Sequence, residues 1–346
     1  MKTDIASMNI QEITEYLAQL SEKSGMKIEK FRAKQIFSWL TKGICSFEEM
    51  GNLPSALKKL LEEESYLSLP GIKKKLVSAL DGTVKYLFEL SDGECVESVF
   101  MKYNHGNTLC ISTQAGCRMG CSFCASTIGG LARNLTPSEM TGQIIAAEKD
   151  TGERISNVVM MGIGEPLDNF DNSMKFLRLV NDKEGLNIGY RHISLSTSGI
   201  VPNIYLLAEE NFPITLSVSL HSPIQELRES LMPVAKKYKL PDLIQACRDY
   251  IAKTGRRISF EYAMINGVND TVEHAKTLSG LLRGMLAHVN LIPLNEVSEK
   301  EFTKSNSENI KKFVSILESA HITVTVRRKL GSDINASCGQ LRKTKE

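Results

Sequence analysis

Read for its apolar periodicity, the chain changes character twice. Up to about residue 65 the spacing is helical. In NIQEITEYLAQL, Ile10, Ile13, Leu17 and Leu20 fall on one face, and KFRAKQIFSWLTKG predicts a second helix that ends at Gly43, a good C′ residue. Trp39, on that helix, is expected in the core. From residue 74 to 101 the runs KKLVSAL, TVKYLFEL and CVESVFM read as strands broken at Asp81-Gly82 and Asp92-Gly93, an antiparallel meander. From Leu109 onward the pattern is strand, loop, helix, repeated. LCIST, NVVMMGIGEP, HISLSTSG, ITLSVSLH, RISFEYAMI, HVNLIPLN and TVTVRRK are the strands, mostly with amphipathic helical stretches between them. In TPSEMTGQIIAAEKD, Thr136 is placed to cap a helix, with Pro137 at its first position and Glu139 completing a capping box.

Six or seven β-α units argue for a parallel sheet, barrel-like or doubly wound. The polar residues favour the barrel. Successive strands run apolar and then end in chemistry: Gly164-Glu165, Ser196-Thr197-Ser198, Ser219 with His221, and Asn295. A (β/α) barrel builds its site at the carboxyl ends of its strands. The expected organisation is a helical region over 1–70, antiparallel strands over 71–105, a partial (β/α) barrel over 106–330 and a tail over 331–346.

Composition adds little to that picture. An apolar fraction of 42% and a charged fraction of 24% are ordinary for a soluble globular chain, and a net charge of +2 demands no polyanionic partner. The stretch MKTDIASMNIQEITEYL lacks a signal-peptide h-region and no apolar run reaches a membrane span, so the expected compartment is the cytosol. Basic stretches occur at Lys27, Lys30, Arg32 and Lys34, at Lys73 to Lys75, at Arg327 to Lys329, and at Arg342, Lys343 and Lys345. Taken singly, each reads as a solvated face.

The cysteines change the picture more. Eight over 346 residues are too sparse for a disulfide scaffold, yet GCRMGCSFCAS packs Cys117, Cys121 and Cys124 into eight positions. Zinc sites usually pair CxxC with a second pair of Cys or His, and no second pair exists here. The CxxxCxxC spacing favours an iron–sulfur cluster whose fourth ligand comes from elsewhere or whose fourth position is left open.

CxxxCxxC after the first strand of a partial barrel resembles the radical S-adenosylmethionine superfamily. Together VESVFM, LCISTQAGCRMGCSFCAS, NVVMMGIGEPLDN, ISLSTSGIVP, SVSLHSP, HVNLIPLN and DINASCGQL resemble the RNA adenine C2-methyltransferases of the RlmN type, over about residues 75–342. The N-terminal helices are similar to that family's accessory domain. The resemblance implies that Cys117, Cys121 and Cys124 hold a [4Fe-4S] cluster whose open iron seats S-adenosylmethionine. It implies that Gly164 and Glu165 meet the amino group of S-adenosylmethionine, and that Ser196, Ser219, Leu220, His221 and Asn295 supply its other contacts.

The same resemblance gives Cys338 the central role. It is methylated by one S-adenosylmethionine, and a 5′-deoxyadenosyl radical from a second then activates that methyl group for attack on C2. Two molecules are consumed per turnover. Cys110 would break the resulting protein–RNA thioether and leave a Cys110–Cys338 disulfide, with Glu97 as candidate general base. Cys338 must meet several partners in turn, which implies a mobile tail.

The implied substrates are an adenine in the peptidyl-transferase centre of 23S rRNA and the adenine beside the anticodon of some tRNAs, with the basic stretches contacting RNA backbone. An external flavodoxin-like or ferredoxin-like donor would supply electrons to a cytoplasmic monomer. The nearest rival is the Cfr-type C8 methyltransferase, which confers antibiotic resistance. Pro166 in GEPLDN and the segment HVNLIPLN favour C2. A radical enzyme acting on protein or small molecules would not need the Cys110 and Cys338 pair. An iron–sulfur or zinc RNA-binding module would leave the polar strand ends unexplained.

Overall fold

The computed structural model describes residues 2–297 and 299–342. Near the N-terminus three helices, α1 (Ile10–Ser24), α2 (Arg32–Leu40) and α3 (Ser55–Glu64), pack around their own apolar cluster. Helix α1 starts at a capping box, where Asn9 Oδ1 accepts the Glu12 N–H at 2.9 Å and Glu12 accepts the Asn9 N–H at 2.8 Å. Ile13, Leu17 and Leu20 of the expected stripe are buried, and Ile10 at the helix start is half-buried.

Two expectations need correcting. Helix α2 stops at Leu40, and Gly43 closes the following turn, donating its N–H to the Leu40 carbonyl at 3.0 Å. Trp39 is half-buried at the edge of the cluster because its indole N–H donates to Asn52 Oδ1 at 2.7 Å near solvent. A short parallel pairing of Thr3–Asp4 with Ser65–Tyr66 joins the ends of this region.

The rest is built on a ten-stranded sheet, with a separate two-stranded hairpin beside it. Strands β1 (Gly71–Val77), β2 (Val84–Glu89), β3 (Cys95–Tyr103) and β4 (Gly106–Cys110) form the expected antiparallel meander, and β4 carries it into the parallel part. Strands β5 (Asn157–Met160), β6 (Ile193–Thr197), β7 (Thr215–Ser219), β8 (Ile258–Met264), β9 (Ala287–Pro293) and β10 (Thr323–Val326) then follow in sequence order, each parallel to the last. They make the partial (β/α) barrel. The connecting helices are α4 (Pro137–Thr151), α5 (Phe170–Asn181), α6 (Val201–Glu210), α7 (Gln225–Leu231), α8 (Val234–Lys237), α9 (Leu240–Thr254), α10 (Val272–Leu281) and α11 (Ser307–Ser319). Helix α4 has the capping box read from the sequence, Thr136 with Glu139, and Pro137 at its start.

Strand periodicity of two decides which residues face the helices and which face the barrel interior. Leu195, Leu216, Val218, Phe260, Tyr262, Val289 and Leu291 belong to the main core. Their neighbours Ser194, Ser217, Ser259, Glu261, His288 and Asn290 line an interior polar cavity. An ordinary barrel fills that space with branched apolar side chains. Here the interior is left polar, and the functional residues stand above it.

Candidate active site

The cysteine loop hangs from a small hairpin in which Gln114–Gly116 pairs with Leu131–Asn134. Gly116 has φ of 85°, and a Cβ there would lie 1.9 Å from the Gly130 carbonyl oxygen. Gly116→Ala is therefore expected to lower stability by at least about 1–3 kcal/mol, the cost of a strained backbone, with the clash added. Chemical denaturation of the two proteins side by side checks it, and an unchanged midpoint would contradict it. The loop is tied down on three sides. Arg118 pairs with Asp168 at 2.5 Å, the Ser122 N–H donates to the Leu231 carbonyl at 2.9 Å, and the Ala125 N–H donates to the Gly339 carbonyl at 2.8 Å.

The strand ends and the loop enclose a chamber of about 160 Å³. Cys117, Cys121, Cys124, Gly164, Glu165, Ser196, Ser219, His221, Asn295 and Cys338 all line it. Leu220 does not. Its side chain is buried in the core, and its N–H is spent on the Glu261 carbonyl at 3.0 Å. Alternation puts Ser219 and His221 on the cavity side and Leu220 on the other.

Glu165 is buried, accepting the Ser198 N–H at 2.7 Å and the Leu167 N–H at 3.0 Å. Burial raises its carboxyl above the usual range despite those bonds, so a cationic partner in the chamber would favour the ionised form. His221 has φ of 57°, and its Nδ1 accepts the Ala263 N–H at 2.9 Å, leaving any ring proton on Nε2. Burial holds its pKa down to about 3, with Arg228 adding to the effect. The unfolded chain therefore binds a proton that the folded one refuses between about pH 6.5 and 3. Stability is expected to fall as pH drops through that window, by up to about 1.4 kcal/mol per unit. Denaturation midpoints of wild type and His221→Gln at pH 6 and pH 5 check the slope, and equal slopes would contradict it.

The three loop thiols are all raised, Cys117 to about 12, chiefly by burial, with Glu165 adding at Cys117, the other two loop thiols at Cys121 and Cys338 at Cys124. Such thiols shed protons readily only to a metal. Among the described residues no three His, Cys, Asp or Glu groups converge on a single-ion site. The thiols instead share one chamber wall, a donor set that fits a multi-iron cluster rather than a closed mononuclear centre.

Cys338 and Asn295 also line a second cavity with Cys110, Val99, Met101 and Tyr103. All eight cysteines are free thiols, Cys110 buried and Cys338 half-buried. Burial and the neighbouring Cys338 push the Cys110 thiol up to about 12. The segment around Cys338 is hydrogen-bonded to the chamber at three points. Asn295 Nδ2 donates to the Cys338 carbonyl at 3.1 Å, Ser126 Oγ to the Leu341 carbonyl at 2.7 Å, and Gln340 Nε2 to the Glu296 carbonyl at 3.0 Å. Glu97 does not reach either cavity wall. It is buried against Lys85 at 2.7 Å, accepts the Arg342 N–H at 2.8 Å, and has its carboxyl raised by burial. It stands one strand repeat from Val99, on the same face of β3.

Reading the sequence missed Glu261 and Arg327, which line the chamber and the polar interior below it. Strand alternation in RISFEYAMI could have found Glu261. Arg327, read as part of a solvated basic run, instead points its guanidinium at Met161 Sδ (3.7 Å) near Cys338 and Cys110. Other members of the basic runs are paired: Lys27 with Glu29, Lys73 with Glu89, Lys75 with Asp150 and Arg342 with Glu299. Lys343 and Lys345 lie outside the described residues.

Comparison with known proteins meets this geometry. The radical SAM superfamily model matches residues 111–278, and a ribosomal RNA large subunit methyltransferase N-terminal domain matches residues 3–67. A probable dual-specificity RNA methyltransferase RlmN from Alkaliphilus oremlandii is 55% identical over 99% of this chain and 98% of its own length. Its counterpart from Clostridium tetani is 52% identical over 98% and 96%. The crystal structure of a radical SAM methyltransferase from Sphaerobacter thermophilus superposes with a TM-score of 0.92 at 42% identity, covering 98% of this chain and 99% of that one.

Proposed function

The chain belongs to the RlmN-type RNA methyltransferases of the radical SAM superfamily, and on that premise we propose that it methylates C2 of adenine through a thiol relay. The targets are an adenine in the peptidyl-transferase centre of 23S rRNA and the adenine beside the anticodon of some tRNAs. The observation that carries this reading is the position of Cys338. One thiol lines both the chamber of Cys117, Cys121, Cys124 and Glu165 and the cavity of Cys110.

Cys117, Cys121 and Cys124 would hold a [4Fe-4S] cluster, and Glu165, Ser196, Ser219, His221 and Asn295 would surround S-adenosylmethionine. When bound, these groups supply a 5′-deoxyadenosyl radical by one-electron cleavage of the sulfonium. The protein's own residues explain the rest. C2 of adenine is electrophilic and cannot attack a sulfonium methyl, whereas a thiolate can. Cys338 therefore gives up its proton and takes the first methyl group on sulfur. That methyl loses a hydrogen atom, and its carbon bonds to C2, leaving a thioether between protein and RNA.

Glu97 takes the C2 proton, its raised carboxyl suiting a base, and the adduct radical would return one electron to the iron–sulfur group that Cys117, Cys121 and Cys124 would hold. That role requires Glu97 to leave both the Arg342 N–H and Lys85, which hold it away from the two cavities. Cys110 sulfur then attacks Cys338 sulfur, the carbon–sulfur bond breaks, and the released carbon takes a proton to become the methyl group. The Cys110–Cys338 disulfide needs two electrons from an external dithiol before the next round. Two S-adenosylmethionine molecules are thus used per product.

Residues 1–70 would be an accessory unit for RNA, residues 71–105 the lead-in strands, and 331–346 the tail that carries Cys338. Among the described residues no helix is long and apolar enough to cross a membrane. The reading is completed by a cytoplasmic monomer fed by a flavodoxin-like or ferredoxin-like donor. The test is nucleoside mass spectrometry of rRNA and tRNA fragments after anaerobic incubation with reconstituted protein, S-adenosylmethionine and a low-potential reductant. 2-Methyladenosine is expected. 8-Methyladenosine would hand the reaction to the Cfr-type alternative, and 5′-deoxyadenosine without any methylated adenosine would overturn the substrate.

A further inference from the structure

Arg228 lies on α7 behind the cysteine loop, and it is completely buried. A buried guanidinium without a carboxylate costs several kcal/mol, which a fold keeps only where the charge is used. Its Nη2 donates to the Ser198 carbonyl at 2.7 Å and the Ser219 carbonyl at 3.2 Å, the ends of two strands that line the chamber. Its Nε and Nη1 have no hydrogen-bond partner. The groups that hold its charge up are thiols, Cys121 and then Cys247, not carboxylates, and burial lowers its pKa only to about 10. It stays cationic at neutral pH.

The surroundings fix that charge beside the loop. The Leu231 carbonyl of α7 accepts the Ser122 N–H at 2.9 Å, and Leu227, Leu231 and Met232 pack with Cys121 and Phe123. Gly199, at φ of 103°, leaves the room. A Cβ there would lie 3.2 Å from Arg228 Nη2. Arg228 stands behind the chamber lining, which holds Glu165 and the three loop thiols.

We propose that Arg228 is the fixed counter-charge of the cysteine chamber, a positioning residue that holds two strand ends and eases one-electron reduction of the iron–sulfur group held there. This rests on the reading of Cys117, Cys121 and Cys124 as cluster ligands. Reduction adds one negative charge to a set of three thiolates, in a site of low dielectric. A buried cation nearby lowers the cost of that electron, and its removal raises it.

The experiment is a redox titration of the reconstituted full-length protein, followed by electron paramagnetic resonance, for wild type and for Arg228→Met, Arg228→Gln and Arg228→Lys. The two neutral variants are expected to weaken reduction about tenfold, a midpoint about 59 mV more negative for a one-electron couple. Arg228→Lys keeps the charge without the paired carbonyl bonds and is expected to stay within about twofold of wild type. Neutral variants titrating with wild type would overturn the proposal. So would a lysine variant displaced as far as methionine, since geometry rather than charge would then be at work. If the neutral variants hold no iron while lysine does, the charge serves assembly rather than reduction and the proposal fails. If lysine also holds none, the role is packing and the proposal fails. Wild-type protein that binds no cluster would instead overturn the ligand reading beneath it.

Discussion

Cys338→Ala is expected to end RNA methylation, with a rate loss of at least about ten-thousand-fold, because it removes the only atom that accepts the first methyl group. The fold predicts little collateral damage. Cys338 is half-buried, and its segment is held by backbone and neighbouring side chains rather than by the thiol. Iron content and thermal stability of the variant should therefore match wild type. 5′-Deoxyadenosine should still form, uncoupled from product. Quantifying methylated adenosine and 5′-deoxyadenosine in one reaction checks both. A variant that still methylates RNA at more than a percent of the wild-type rate would contradict the relay.

Cys110→Ala is expected to stop the reaction one stage later. Cys110 closes the same cavity that Cys338 opens into, so the thioether should form and then persist as protein covalently joined to RNA. Denaturing gels should show a band carrying both, absent from the double variant with Cys338→Ala. The wild-type resolving step should also depend on pH. Burial and Cys338 push the Cys110 thiol up to about 12, so its thiolate is scarce at neutral pH. Adduct release is expected to quicken up to about tenfold per unit as pH rises, until another step limits. Arg327 faces both thiols and favours the thiolate. Release that is flat between pH 7 and 9 would point to a different resolving group.

Much of this was legible in the sequence because the barrel repeats one pattern. Each parallel strand announced itself as an apolar run and each candidate strand end as a polar break after it, so Glu165, Ser196, Ser219, His221 and Asn295 were expected on one rim, and all five line one chamber. Leu220 came in with its motif, and its side chain packs in the core between two neighbours that face the chamber. The cap at Thr136 and the turns at Gly82 and Gly93 were equally local, and all are present. What could not be read depended on contacts distant in sequence. Lys85 meets Glu97 across paired strands, Trp39 is drawn outward by Asn52, and Arg327 turns inward where a charge run suggested solvent. Arg228 sits in an unremarkable helical stretch, and only its burial against the chamber marks it.

The central claim is that the methyl group passes through Cys338. It is tested most directly by protein whose Cys338 sulfur carries a trideuterated methyl group, reacted for a single turnover with unlabelled S-adenosylmethionine. Loss of one deuterium to the radical and gain of one proton on release should give 2-methyladenosine bearing a CD2H group. A first-turnover product with an unlabelled methyl group would contradict it.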